Sequence, residues 1–142
     1  MRYNRGFDYP VRNMTLRYLV TAMLLVAALI HLLPLSGVLG AHRLTALYGL
    51  PFEEPNLAIL MRHRAVLFGM VGFFLALAAF KPGLQAAALL VGLVSVLSFL
   101  GLAWSVGGYN AQLARVVLVD LVALVCLLVG AVAYLVAQRA AP

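Results

Sequence analysis

Hydrophobic and polar positions divide the chain into four long apolar runs, which are separated by short polar or glycine- and proline-containing breaks. The runs cover residues 16–39, 57–80, 84–106 and 111–137. Each is long enough for a helix to cross the hydrocarbon core of a bilayer, which takes about 20 predominantly apolar residues. None alternates apolar with polar positions as the strands of a membrane barrel do. Because lipid offers no partner to backbone amides, the pattern predicts four transmembrane helices.

The breaks predict how these helices connect. KPG at 81–83 and GGYN at 107–110 are short turns, so the helices on either side should be antiparallel neighbours. The longer connection at 40–56 contains HRLTALYGL, which is weakly amphipathic and suits a helix lying along the interface. Residues 1–13 are polar and are predicted to form a cytoplasmic tail, and residues 14–142 a single domain. The predicted fold class is all-α, an integral membrane four-helix bundle with antiparallel up-down topology.

Composition agrees with a membrane protein and excludes other classes. The chain of 142 residues is 65% hydrophobic and only 10% charged, with a mean hydropathy of +1.08. A soluble domain has about 25% charged residues. The net charge of +6 does not indicate nucleic-acid binding, because the basic residues lie scattered at segment ends. The single cysteine, Cys126, excludes an intrachain disulfide.

The distribution of lysine and arginine predicts the orientation. Basic residues flank one set of span ends, at Arg2, Arg5, Arg12, Arg17, Lys81 and Arg139. On the opposite side, Arg43 is offset by Glu53 and Glu54. Short loops rich in basic residues stay in the cytoplasm. We therefore expect both termini to be cytoplasmic (N-in and C-in), with Trp104, Tyr109 and Tyr48 at the outer interface.

Ionisable residues inside the spans are the candidate functional residues. In the predicted topology they all fall in the outer half of the membrane, at His31, Arg62, His63, Arg64, Arg115 and Asp120. Charge at this depth is costly and needs a partner or a path to water. The pattern predicts a polar cluster in the outer leaflet.

Helical phase predicts which of these residues pair. Arg62 shares a face with the small residues Ala65, Gly69, Gly72 and Ala76, whereas Arg64 shares one with Phe68, Val71 and Leu75. Small residues let helices approach closely, so Arg62 should point inward and Arg64 should reach outward to the headgroups. Asp120 is about 13 Å along its helix from Ala111, too deep for a short side chain to reach water. The predicted pair is Arg62 with Asp120. The third helix offers a stripe of small or hydroxylated residues, Ser98, Gly101 and Ser105, whose hydroxyls could join this network.

Two interpretations of this cluster remain open at the level of sequence. In the first, the ion pair only fixes the register of two helices. In the second, the surplus arginines bind a phosphate or carboxylate headgroup, for which guanidinium groups are well suited. Both describe a non-catalytic accessory or binding protein. Its partners would be membrane lipid and, for so small a hydrophobic chain, further copies of itself or a larger membrane complex.

An alternative is a redox or transport protein that uses the same cluster for haem, quinone or a proton-coupled solute. His31 and His63 fall at similar predicted depth and could ligate haem b, with arginines on its propionates. The spacing of histidines and carboxylates indicates no metal site, and no catalytic residues stand out.

Three stretches carry a resemblance to known proteins: PLSGVLG, RLTALYGLPFEEPNLAILMRHRAVLFG and VGGYNAQLARVVLVDLVALV. From about Met14 onward the chain resembles a group of small four-helix bacterial inner-membrane proteins with no established activity. Some of them bear the name phosphopantetheine adenylyltransferase, which this sequence does not support, since it has neither an HxGH motif nor a glycine-rich phosphate loop. The four-helix plan is also similar to DoxX-like membrane proteins. The first resemblance implies that the chain lies in a bacterial inner membrane, and neither resemblance implies catalytic residues.

Overall fold

The computed structural model describes residues 8–139, with side chains from residue 14 onward. This part of the chain is helical and contains no strand. Its helices are α1 (Asp8–Leu32), α2 (Ala41–Tyr48), α3 (Pro55–Ala79), α4 (Pro82–Val106) and α5 (Ala111–Arg139), and a 3₁₀ segment (Leu33–Leu39) follows α1. Four stretches are long and apolar enough to cross a membrane: Met14–Leu39, Pro55–Ala79, Pro82–Val106 and Ala111–Arg139. The prediction of four apolar helical spans is confirmed.

The four long helices pack through small residues and a few fully buried leucines. α1 and α4 each pack against both α3 and α5. Leu24, Leu75 and Leu127 are completely buried between them. Gly72 of α3 lies so close to α1 that an added Cβ would be 3.0 Å from the carbonyl oxygen of Ala28. Because lipid tails are as apolar as leucine, such close packing is what holds helices together in a bilayer.

A proline ends α1 close to the predicted polar cluster. The 3₁₀ segment begins at Leu33, directly after the last α-helical residue, Leu32, and Pro34 lies in its first turn. Proline has no backbone N–H and its ring clashes with the preceding turn, so it breaks an α-helix. Pro34 thus accounts for the end of α1 at Leu32. At the other end α1 begins at Asp8, inside the predicted tail, and residues 1–7 of that tail lie outside the described residues.

Residues 41–52 form a cap over one end of the long helices. Leu44, Tyr48 and Phe52 are buried in a small cluster of their own, and the Tyr48 and Phe52 rings meet edge to face at 6.1 Å. α2 ends at Gly49, whose left-handed φ of 69° places its N–H 2.8 Å from the Thr45 carbonyl oxygen. The predicted amphipathic helix is therefore present. Its Tyr48 is only 6% exposed, so this ring faces the protein and does not lie at the interface as predicted.

Glu54 caps the start of α3. Its carboxylate accepts hydrogen bonds from the backbone N–H of Asn56 at 2.9 Å and of Leu57 at 2.7 Å. These two bonds, together with one from the Asn56 side chain, lower the pKa of Glu54 below its usual 4.5. Both amides would otherwise lack partners at the first turn of a helix, so the ionised carboxylate stabilises α3.

We expect Glu54→Ala to lower the melting temperature of the detergent-solubilised protein at neutral pH. A carboxyl group whose folded-state pKa is depressed contributes stability above its unfolded pKa of about 4.5, and loses it as the pH falls through the lower folded-state value. The difference between Glu54→Ala and wild type should therefore shrink below about pH 4. Glu53→Ala is the control, because Glu53 is also exposed but accepts no hydrogen bond in the described part of the chain. Equal effects of both changes would show that the hydrogen bonds of Glu54 do not stabilise the start of α3.

Gly72→Ala should destabilise the protein by about 1–3 kcal/mol, the usual cost of overpacking. The new Cβ would lie 2.8 Å from Leu32 Cγ and 3.0 Å from a backbone oxygen that cannot move alone. Gly101→Ala is the matched control on α4, since a Cβ there meets nothing within 4 Å. That change should leave stability unaltered or raise it by up to about 1 kcal/mol through helix propensity. Thermal melting of both variants in detergent measures the difference.

Candidate functional site

A charged cavity lies where the end of α1, the cap, α3 and α5 meet. Its volume is about 250 Å³. Its charged walls are Arg64, Arg115 and Asp120, and Tyr48 and Gln112 add further polar groups. Ile30, Leu33, Pro34 and Phe68 contribute apolar walls. We call this space the polar cavity.

Asp120 is the buried acid of the polar cavity. It is only 7% exposed, and no hydrogen bond reaches its carboxylate from residues 14–139. The Arg64 guanidinium interacts with it electrostatically across the cavity. A buried carboxylate normally has hydrogen-bonded partners, so one without them is unusual and marks a site that is open to a ligand or to water.

Arg64 is held in place by aromatic rings. Its guanidinium carbon lies 4.9 Å from the centre of the Phe68 ring, 5.5 Å from Tyr48 and 5.7 Å from Phe99. Such cation–π contacts stabilise the charge from the ring faces. They leave the five N–H donors without a strong acceptor, and no oxygen atom of the described side chains or backbone fills that role. Arg64 is thus positioned but not neutralised.

Arg62 has a different partner from the predicted one. Its Nε donates a hydrogen bond to the carbonyl oxygen of Val38 at 2.9 Å, near the end of the 3₁₀ segment, and the side chain is exposed. The last carbonyls of a helical segment lack partners within it and favour a nearby cation. The prediction that Arg62 pairs with Asp120 while Arg64 points to lipid is therefore wrong. Arg64 faces the carboxylate.

The geometry of α3 explains why Arg64, and not Arg62, faces Asp120. The small-residue face of α3 does face inward, as predicted, since Ala65, Gly69 and Gly72 are buried against α1 and the 3₁₀ segment. A helix with two neighbours, however, has a second buried face. On α3 that face includes Leu75, which is completely buried, and Phe68, and Arg64 lies in line with them. Helical phase alone gave only one of these two faces.

A second and larger space lies on the other side of Arg64. It has a volume of about 850 Å³ and runs between α3 and α4 towards the turn that precedes α5. Its walls are mostly apolar, with Leu57, Met61, Phe99, Leu102 and Val106 among them. Ser95 and Ser98 are its polar side chains on α4. We call this space the apolar groove. Tyr48, Arg64 and Phe68 belong to the walls of both spaces, so these three residues form their junction.

Tyr48 closes the junction from the cap. Burial raises the pKa of its phenol above the usual 10.0; the nearby Arg64 charge opposes this shift, and Asp120 reinforces it. The phenol is therefore neutral at physiological pH and carries a proton that can be donated to a ligand oxygen.

His31 is fully satisfied within the protein. Its Nδ1 lies 2.8 Å from the carbonyl oxygen of Ala27, which can only accept, so Nδ1 carries the proton. Its Nε2 then accepts a hydrogen bond from the Ser95 hydroxyl at 3.2 Å. Ser95 was not among the predicted residues, and its only signal in the sequence is a hydroxyl three residues before the predicted stripe. In that stripe, Ser98 and Ser105 donate to carbonyl oxygens of their own helix and join no network.

His63 does not come close to His31 in the way haem ligation requires. The His31 ring packs 5.9 Å from Phe68, five residues further along α3 than His63, which corresponds to about 7.5 Å of helix rise. His63 is exposed, and both ring nitrogens of His31 are engaged. The similar depth predicted for the two histidines is therefore wrong, because α3 begins at Pro55 and runs past the end of α1. The described residues also contain no group of three or more histidine, cysteine or acidic side chains that could hold a metal ion.

Arg115 completes the polar cavity from α5. It lies five residues before Asp120 and is exposed, as is Gln112 beside it. The cavity therefore has two cationic walls and one anionic wall, which leaves one net positive charge.

The fold and this site indicate a multi-pass helical membrane protein with a charged cavity under a short capping helix. No protein-family profile, curated protein or solved structure matches the chain.

Ser95→Ala should destabilise the protein by about 1–3 kcal/mol, because it leaves Nε2 of the buried His31 without a partner. Ser98→Ala is the matched control one turn away, since its exposed hydroxyl bonds only to its own helix. That change should stay within about 0.5 kcal/mol of wild type. Thermal melting in detergent compares the two variants, and identical melting temperatures would show that the His31–Ser95 contact contributes nothing.

Proposed function

We propose that this protein is a non-catalytic binding protein of a bacterial inner membrane, which binds an anionic group in the polar cavity. The observation that carries the proposal is the Arg64 guanidinium, whose donors point to no acceptor in the described chain although three rings hold it in place. A fixed guanidinium is suited to binding the oxygen atoms of a carboxylate or phosphate through two parallel hydrogen bonds. Arg115 supplies a second cation from the opposite wall.

In this proposal the four long helices form an antiparallel bundle with both termini in the cytoplasm. Contacts between α1 and α3 support that arrangement, since Ala28 and Leu32 lie at Gly72 whereas Leu35 lies at Gly69. At the far end, Thr21 donates to the Ala79 carbonyl oxygen at 3.0 Å. Residues later in α1 thus meet residues earlier in α3. The basic residues at the chain ends and at Lys81 favour a cytoplasmic location for those ends, so the cap and the polar cavity lie on the outer side.

Asp120 has a defined role in this proposal. Its negative charge orients Arg64 from within the cavity and lowers the net charge that a ligand meets. An anion on Arg64 is repelled by the same carboxylate. Removing this charge while keeping the shape of the side chain should therefore strengthen anion binding.

The proposal predicts how inorganic phosphate stabilises the purified, detergent-solubilised protein against heat. A ligand that binds only the folded state raises the melting temperature in a concentration-dependent way. Arg64→Gln and Arg115→Gln should each weaken phosphate binding about tenfold or more, since a charge-assisted hydrogen bond contributes about 1.5–3 kcal/mol. Asp120→Asn should strengthen it.

Arg43→Gln is the matched control, because Arg43 is an exposed arginine of α2 that lies outside the walls of the polar cavity. This variant should respond to phosphate like wild type, and potassium chloride at equal ionic strength should produce no comparable shift. If Arg64→Gln and Arg43→Gln respond alike, the polar cavity is not an anion site.

A second candidate is a proton-coupled carrier, which the unpartnered Asp120 favours. Ionisable residues inside membrane spans commonly serve as proton relays. This candidate requires the protein, in sealed vesicles, to move protons when an anion gradient is applied, and Asp120→Asn to stop that movement. A binding protein moves none.

A further inference from the structure

The apolar groove adds a second half to the ligand site, and the inference drawn from it rests on the proposed anion binding. The groove and the polar cavity meet at Tyr48, Arg64 and Phe68. On one side of Arg64 the walls carry the charges of Arg115 and Asp120, and on the other they are mostly apolar and add no further charged side chain. Two adjoining spaces, one with charged walls and one mostly apolar, are suited to a ligand with a charged head and an apolar tail.

The dimensions of the groove favour a large apolar group. Its volume of about 850 Å³ lies within the range of about 300–1,000 Å³ that is usual for ligand pockets. A small inorganic anion would use only the polar cavity and would leave this space without a role. The walls at Phe68, Phe99 and Leu102 offer no hydrogen-bonding group to a polar ligand.

The position of the groove shows where such a ligand would come from. It lies between α3 and α4, two helices that are long and apolar enough to span a membrane. Leu57, Leu102 and Val106 of its walls are exposed on the outer surface of the helices. In a bilayer this surface is covered by lipid chains, so the groove can be entered sideways from the membrane.

The net charge of the polar cavity indicates which charge the head group of the ligand carries. Arg64 and Arg115 against Asp120 leave one net positive charge. A phosphodiester carries one negative charge and would neutralise the cavity, whereas a phosphate monoester, with about two negative charges at pH 7, would leave an excess. Basic pockets between transmembrane helices are known binding sites for lipid headgroups.

We propose that the protein binds an anionic phospholipid, with its phosphodiester on Arg64 and Arg115 in the polar cavity and one acyl chain in the apolar groove. Arg64 is the central contact because it belongs to both spaces. The exposed guanidinium of Arg62 takes no part, since it caps the 3₁₀ segment.

The test is photo-crosslinking of the full chain in nanodiscs of zwitterionic phosphatidylcholine. The probe is a phosphatidylglycerol with a photoreactive diazirine in one acyl chain. Labelling should concentrate on the α4 segment from Phe99 to Val106, and unlabelled phosphatidylglycerol should compete for it. A phosphatidylcholine probe with the same chain should label this segment much less.

Two variants and two matched controls separate the parts of the site. Arg64→Gln and Ser98→Phe, which fills the groove from an exposed position on α4, should each lower the labelling about tenfold, the loss expected for one charge-assisted contact or for a blocked chain. Arg43→Gln and Leu97→Phe should leave it unchanged, because Leu97 is exposed next to Ser98 but lies outside the groove. Helix content and melting temperature confirm that each variant is folded.

The outcomes distinguish this inference from the proposed function. If Arg64→Gln loses phosphate stabilisation but Ser98→Phe keeps full labelling, the anion site stands and the groove does not hold a lipid chain. Equal labelling by the two headgroups also overturns the lipid proposal. If Arg64→Gln changes neither phosphate stabilisation nor labelling, both proposals fail together.

Discussion

A guanidinium and a carboxylate that face each other without closing into an ion pair are the feature on which the rest of this structure depends. Taking either charge out of water is expensive, and a direct pair is the usual way to reduce the cost in a membrane span. Here Arg64 and Asp120 interact across a cavity, and aromatic rings surround the cation. Rings stabilise a cation, but they do not replace the water that its N–H groups have lost. The arrangement therefore requires polar contents in the cavity, either water or a ligand.

The backbone near the end of α1 produces the room for this cavity. Pro34 ends the α-helix and forces the chain into a 3₁₀ segment, whose side chains at Leu33 and Pro34 become cavity walls. The segment stays close to α3 because Gly37 is buried against Leu44 and Ala65. The cap then turns back over the opening and places Tyr48 above Arg64. Pro34 and Gly37 together thus leave a covered cavity where an unbroken α1 would pack directly against its neighbours.

The sequence was sufficient for those features that depend on a single segment. The four spans follow from hydrophobicity alone, the end of α1 follows from the chemistry of Pro34, and the close approach of α3 follows from Gly69 and Gly72. The site depends on which side chains of different segments meet. Helical phase was insufficient to predict these contacts, because α3 has two buried faces and only the small-residue face is recognisable from sequence. Ser95 was missed for a related reason. Its hydrogen bond to His31 depends on how far along α4 the His31 ring of α1 lies, which the sequence of one segment does not show. Tyr48 looked interfacial because nothing in its own segment indicates that the cap folds back over the bundle.

Arg62 and Arg64 show how a charge that is satisfied within the protein differs from one that is not, although both lie in the same helix. Two residues along a helix correspond to about 200° of rotation, so the two side chains leave α3 on nearly opposite sides while starting at almost the same depth. Arg62 meets a carbonyl oxygen at the end of the 3₁₀ segment, where helix geometry requires a donor. Arg64 meets three rings and a carboxylate across a cavity, an environment that fixes its position and leaves its hydrogen-bonding capacity unused. Depth and charge are the same for both residues. Arg62 is exposed and hydrogen-bonded, whereas Arg64 is half-buried and donates no hydrogen bond within the described chain, and this is the physical reason to expect a ligand there.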